Sequence, residues 1–289
     1  MDEPGFRHES LANLRVVIWG LGLMGGSLAL ALKGKCAWLG GIDLYPEVVA
    51  QAKERCIIDQ GSIRPKDVLQ GADIIILSTP VRAILSSLDE IAGEIAGQAV
   101  VFDLGSTKRE ILQKMDGLPE RFDPVGGHPM CGKEKGTLQN ADAAIYRGAP
   151  FALVSHPQTS PRARGLVEEI TRCIGSVPFW IDAETHDRWV AASSHVPFLV
   201  ANALAQATPL DALPLIGPGF RSTARLAGSS PKMMVDILET NGDNIMHMIA
   251  QFRKYLDRYE QLLEQKEFLT LAVEFERGAE QYRILANDR

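Results

Sequence analysis

Gly20, Gly22 and Gly25, in the segment VVIWGLGLMGGS, stand in the spacing G-x-G-x-x-G between an apolar run and a helical stretch. In that setting the first glycine makes a tight turn, the second lets backbone approach a pyrophosphate, and the third packs helix on strand. Leu23 and Met24 then lie at a helix N-terminus whose N–H groups can hold phosphate. Asp43 closes the next strand 18 residues after Gly25, where a carboxylate accepts hydrogen bonds from ribose hydroxyls and repels a 2′-phosphate. The cofactor therefore reads as NAD rather than NADP. Ser78, Thr79 and Pro80 end a later strand where the nicotinamide half of a dinucleotide would cross the sheet edge, although such a loop is equally an ordinary strand-to-helix connection.

A second set of residues suits proton transfer. Oxidation of a carbinol needs a group that accepts the hydroxyl proton as hydride leaves, and a histidine with a near-neutral pKa is the usual choice. His128 is flanked by Gly126, Gly127 and Pro129, a constrained turn suited to pointing a side chain into a cleft. Ser106 ends a strand, and it or Thr107 could equally cap the following helix with Glu110 nearby. No metal is called for.

Short β-branched runs position these residues. RVVIWG, WLGGID, ADIIILST and AVVFDLGS alternate with helical stretches from Gly25, from Pro46 to Arg55, after Pro80 and from Thr107. Continuously apolar strands alternating with helices mark a parallel sheet covered on both faces. The pattern weakens after Gly127 and resumes with PFALVSH, a helix from Pro161 to Ile174, and VPFWID. Beyond Asp182 the strand signal vanishes and apolar residues recur at helical spacing. The expected fold class is α/β: an N-terminal Rossmann-type, doubly wound and mostly parallel sheet over residues 1–182, then an all-α dimerisation domain over 183–289. A last helical segment of roughly 40 residues, starting at Asn241-Gly242, is longer than most globular helices, and its length predicts a homodimer.

The bulk composition excludes other classes. At 289 residues, 46% hydrophobic and 23% charged, the chain is globular in character. A net charge of −6 and no basic run leave no nucleic-acid surface. The acidic N-terminus and glycine-broken apolar stretches predict neither export nor membrane insertion. Cys36, Cys56, Cys131 and Cys173 have no C-x-x-C spacing, which fits a reducing, cytoplasmic setting.

DLGSTKREI from Asp103, PVGGHPMCGKEKGT from Pro124, His186-Asp187-Arg188, SSHVPF from Ser193 and GFRSTARLAGSSP from Gly219 follow GLGLMGGS in order. Together they resemble the prephenate and arogenate dehydrogenases over residues from about Arg15 to Ile237. The resemblance implies NAD-dependent oxidative decarboxylation of prephenate to 4-hydroxyphenylpyruvate in tyrosine biosynthesis. It makes His128 and Ser106 the catalytic residues, with Ser106 bonded to His128 or to the reacting hydroxyl. Such a substrate is a small dianion that calls for guanidinium groups. Arg225 occupies the position of the family's substrate-binding arginine, Arg221 is a second candidate four residues earlier, and His195 is a third possible contact. Lys133 and Lys135 either assist or are simply solvated, and His186 with Asp187 is expected to orient the domain junction.

The chain departs from the family pattern at Phe198, where many members carry a second histidine, and at Ser230 and Met234, which replace an acid and a tryptophan. Arogenate and a 4-amino-4-deoxy relative therefore stay open as substrates beside prephenate, which the arginine-rich segment favours. A β-hydroxyacid dehydrogenase would need a catalytic lysine in the helical domain, and between Asp182 and Asn244 only Lys232 is present. A non-catalytic NAD sensor would need none of Ser106, His128 and Arg225.

Overall fold

Strands that are apolar on both faces must be covered on both, and the chain achieves this with one sheet. A computed structural model describes residues 10–133 and 136–287. Its eight strands are β1 (Arg15–Trp19), β2 (Trp38–Ile42), β3 (Gln60–Ser62), β4 (Ile74–Leu77), β5 (Ala99–Asp103), β6 (Phe122–Pro129), β7 (Pro150–Ser155) and β8 (Val177–Trp180). They are ordered β3-β2-β1-β4-β5-β6-β7-β8. Every pairing is parallel except β6 with β7. In β1, Val16 and Ile18 enter one apolar cluster and Val17 and Trp19 the other, the period-two alternation of a strand with a core on each side.

The covering helices are α1 (Leu23–Leu32), α2 (Pro46–Glu54), α3 (Lys66–Leu69), α4 (Val81–Glu94), α5 (Arg109–Met115) and α6 (Pro161–Cys173). Strand order reverses at β1, whose neighbours are β2 and β4. The crevice at the carboxyl ends of strands beside such a switch point is where doubly wound sheets bind ligands. β5 and β6 run parallel to β4, so the segments after β1, β4, β5 and β6 share that edge.

After β8 the described chain is helical: α7 (Ala183–Val190), α8 (Val196–Ala207), α9 (Pro218–Ala224), α10 (Pro231–Thr240), α11 (Gly242–Glu264) and α12 (Phe268–Asn287). A five-residue π turn, Ala191–His195, joins α7 to α8. Pro197 stands just beyond it; lacking an N–H, it cannot bond the carbonyl of Ser193, and the widened turn accommodates that loss. Packing divides the chain into two compact units, Met1–Gly242 and Asp243–Arg289.

The single terminal helix of roughly 40 residues expected from the periodicity is two helices. Lys266 adopts a left-handed φ of 57°, the Glu267 N–H reaches back to the Leu262 carbonyl, and the Lys266 N–H bonds that of Leu263. This is a Schellman stop made without glycine. Tyr259 of α11 meets Phe275 of α12 edge to face, ring centroids 5.6 Å apart. No helix of the described residues is long and apolar enough to cross a membrane.

Candidate active site

The turn between β1 and α1 is shaped by backbone. Gly20 has φ +99°, and a Cβ there would lie 2.6 Å from the Ser78 carbonyl oxygen; only glycine fits. Gly22 is the N-cap of α1. The Asp43 carboxylate accepts from the N–H groups of Leu21, at 2.8 Å, and Tyr45, at 3.1 Å, so it braces the turn. One N–H at the start of α1 is already engaged, since Leu23 donates to the Gly136 carbonyl at 2.9 Å. Beside the turn, the hydroxyls of Ser78 and Thr79 are buried without a hydrogen-bond partner. Buried polar atoms without partners are rare, and two adjacent ones at the switch point, with the glycine cradle, fit a dinucleotide.

One strand pair further along, the carboxyl ends of β5 and β6 are clamped by a buried ion pair. Lys108 and Asp103, both fully buried, are in direct contact, and the Lys108 ammonium also donates to the Gly127 carbonyl at 2.7 Å. Asp103 accepts from the Gly105 N–H as well, at 2.7 Å. Burial pushes the Asp103 carboxyl up and the Lys108 ammonium down, and their mutual contact opposes both shifts. A Cβ on Gly127 would lie 2.4 Å from the Phe102 ring, so the glycine before His128 permits β6 to press against β5. The pair and the glycine together fix the loop carrying Ser106 and the strand end carrying His128.

His128 is not bonded to Ser106. Its Nδ1 lies 3.0 Å from Nε2 of His186, and Nδ1 of His186 lies 2.8 Å from an Asp187 carboxylate oxygen. His186 and Asp187, at the heart of α7, are buried; His186 meets His128 directly, and Asp187 meets the sheet-side loop. Burial holds the His128 pKa well below the ordinary histidine value, and electrostatic interaction with His186, Lys108 and His195 adds to the shift. Asp187 also receives the N–H groups of Lys108, at 2.8 Å, and Arg109, at 3.0 Å. The first turn of α5 is thus capped from α7. Neither Ser106 nor Thr107 provides that cap; the N-cap residue is Lys108, with no side-chain bond, and Thr107 instead bonds the hydroxyl of Thr240 on α10 at 2.8 Å.

His195 closes the π turn and is buried. Burial, reinforced by His186 and opposed by the Asp187 charge, lowers its pKa to about 4, and its Nδ1 lies 3.3 Å from the Asn241 amide nitrogen. Arg221 on α9 and Arg225, which begins the 3-10 turn after it, are exposed; that turn packs on α8. Lys133 pairs with Asp142 at 3.2 Å, and Lys135 lies outside the described residues.

The sequence of residues 28–177 matches the family described as prephenate dehydrogenase, nucleotide-binding domain, and that of residues 182–276 matches prephenate dehydrogenase, dimerization domain. The chain belongs to the prephenate dehydrogenase family. It is an NAD-dependent oxidoreductase carrying this family's nucleotide-binding and dimerisation domains. It is 31% identical over 264 residues to the prephenate dehydrogenase of Bacillus subtilis, covering 87% of this chain and 71% of the relative. A crystal structure of Aquifex aeolicus prephenate dehydrogenase in complex with hydroxyphenyl propionate and NAD+ superposes with TM-score 0.85 at 30% identity, covering 96% of this chain and 99% of that one. The arogenate dehydrogenase of Synechocystis superposes with TM-score 0.79 at 26% identity, covering 94% and 100%.

Two of the three departures from the prephenate dehydrogenase pattern meet in space. Phe198 of α8 and Met234 of α10 pack together with Ile237 in one buried apolar cluster. Sequence reasoning missed Lys108, and it gave His186 and Asp187 an orienting role only. The one available signal was a lysine five residues after the acid that ends β5.

Proposed function

We propose that this chain oxidises prephenate to 4-hydroxyphenylpyruvate with loss of carbon dioxide, and that His128 accepts the proton of the ring hydroxyl. The observation that carries this reading is a half-buried histidine, hydrogen-bonded to His186 and held below its ordinary pKa, at the edge of the sheet that bears the dinucleotide turn. Gly20, Gly22, Leu23, Met24, Gly25 and Asp43 hold the adenosine and pyrophosphate half of NAD, and Ser78, Thr79 and Pro80 face its nicotinamide half. Bound NAD supplies the hydride acceptor.

His128 is uncharged at neutral pH and takes the hydroxyl proton as the ring carbon is oxidised. Ser106, on the loop pinned by Lys108, hydrogen-bonds the same hydroxyl. Loss of carbon dioxide then makes the ring aromatic, which drives the reaction. Arg225 and Arg221 hold the substrate carboxylates, and His195 makes a further polar contact. The enzyme's main tasks are alignment and keeping His128 unprotonated. A solved relative bound to a phenolic carboxylate and NAD+ supports this assignment.

In this reading residues 1–182 carry cofactor and proton acceptor, and residues 183–289 carry substrate contacts and a homodimer interface. Exposed Phe252, Tyr255, Leu256, Leu269, Phe275 and Leu285 on α11 and α12 supply an apolar surface for a second copy. The compartment is the cytoplasm. The deciding assay follows reduced nicotinamide with prephenate and, separately, arogenate. Fast turnover of prephenate that is lost in His128→Asn is the expected result; turnover of arogenate alone reassigns the substrate, and an active His128→Asn enzyme reassigns the base.

A further inference from the structure

A chain of buried side chains joins α5, α7, the π turn and the end of α10, and the chemistry of its partners fixes the direction of several of its hydrogen bonds. The Asp187 carboxylate accepts at one oxygen from the Lys108 N–H and from His186 Nδ1, both at 2.8 Å. The other oxygen accepts from the N–H of Arg109 at 3.0 Å and from its Nε at 3.4 Å. A carboxylate only accepts, so the proton between Asp187 and His186 rides on Nδ1 of His186. In a neutral His186 the remaining nitrogen, Nε2, is an acceptor. His128 Nδ1, 3.0 Å away, must then carry the proton of the His128 ring, leaving its Nε2 bare.

The other branch of the network imposes the reverse choice. Asn241, fully buried, accepts at Oδ1 from an Arg109 guanidinium nitrogen at 3.3 Å and donates from Nδ2 to the Asp187 backbone carbonyl at 2.7 Å. Guanidinium has no acceptor and a carbonyl has no donor, so these two bonds fix which way the amide faces. The second Nδ2 hydrogen meets Nδ1 of His195 at 3.3 Å. His195 Nδ1 therefore accepts, and its ring proton sits on Nε2.

We infer that Asp187, through His186, and Asn241 are positioning residues that lock His128 and His195 in opposite tautomers, one offering a bare Nε2 and the other an Nε2–H. On the reading of His128 as base, the first nitrogen takes the substrate hydroxyl proton and the second donates a hydrogen bond to the bound substrate. The Asp187 charge at the far end of the chain offsets the positive charge that His128 gains in the reaction.

Long-range proton–nitrogen NMR on protein labelled at histidine nitrogen reads the protonated ring nitrogen directly at neutral pH, with no turnover needed. Signals are assigned by comparison with His128→Gln and His195→Gln. The expected spectrum shows Nδ1–H for His128 and Nε2–H for His195. In Asp187→Asn, near-isosteric, the new amide can donate to His186 and reverse the chain. The His128 proton then moves to Nε2, and kcat falls on the order of 10²- to 10⁴-fold, as it does when the aspartate of a serine-protease triad becomes asparagine. In Asn241→Leu the His195 signals become a tautomer mixture while those of His128 stay put. A wild-type His128 protonated at Nε2, or both histidines in the same tautomer, overturns the proposal whether or not the enzyme turns over. A fully active His128→Asn overturns the reading on which the proposal rests, and is told apart because the spectra read the ring nitrogens independently of catalysis. Should Asp187→Asn fail to fold, the wild-type spectrum decides alone.

Discussion

At one edge of the sheet lie two working regions built in different ways. The turn at Gly20 is backbone: its shape comes from a left-handed glycine and from a carboxylate, Asp43, that lies within the same βαβ unit. The region around His128 is side chain: Asp103, Lys108, His186, Asp187 and Asn241 come from β5, the β5–α5 loop, α7 and the end of α10, and all five are buried. The first region can be specified by a short run of sequence. The second exists only once strands and helices distant in sequence have packed, and its charges are affordable only because each is paired.

Substitutions that separate binding, rate and stability test this contrast. The largest expected effect is on chemistry: His128→Asn should lower kcat by about 10²- to 10⁴-fold while NAD affinity, measured by calorimetry, stays unchanged. Next comes Lys108→Met, which leaves Asp103 as an uncompensated buried charge and should cost about 3–5 kcal/mol in urea unfolding; the double variant with Asp103→Leu should regain much of it. If Lys108→Met unfolds at the wild-type midpoint, the clamp is not what holds this region. Gly20→Ala should cost about 1–3 kcal/mol from a forced left-handed alanine and crowding at Ser78, and should weaken NAD binding before it alters kcat at saturating cofactor. A Gly20→Ala enzyme with normal NAD affinity and low kcat would erase the distinction between the regions.

The smallest change is in pH. In the proposed role His128 acts unprotonated, so kcat/KM rises with pH through its pKa. Burial, with the electrostatic influence of Lys108 and the neighbouring histidines, places that limb below the ordinary value of about 6.5, with a plateau at neutrality. Anionic substrate favours the imidazolium and shifts the limb of kcat upward relative to that of kcat/KM.

What sequence could reveal follows the same divide. The glycine spacing, the acid after the next strand and the strand–helix alternation are local patterns, and they lead to the doubly wound sheet. His128 stood out for its glycine and proline neighbours, read as a constrained turn, although the segment is strand β6 paired with β7 and the glycines serve close packing of the strand. The connection of His128 to His186, 58 residues later, leaves no periodic trace, and an acid that caps a helix from another element looks on paper like any surface aspartate. The same limit explains the misread start of α5, where Ser106 and Thr107 are good capping types but Asp187 already occupies the N–H groups. It also explains the broken terminal helix, since a left-handed lysine at 266 carries no glycine to announce the stop.

Asp187 has an evolutionary consequence. One carboxylate serves as the cap of α5 and as the anchor of His186, so a mutation there changes two traits at once, the integrity of the fold and the proton inventory of the site. Substitutions at Asp187 are therefore expected to be strongly epistatic with those at His186 and Arg109. A lineage drifting toward a new substrate has far more freedom at Phe198 and Met234, which trade packing volume within one apolar cluster, than at this aspartate, where no single step preserves both duties.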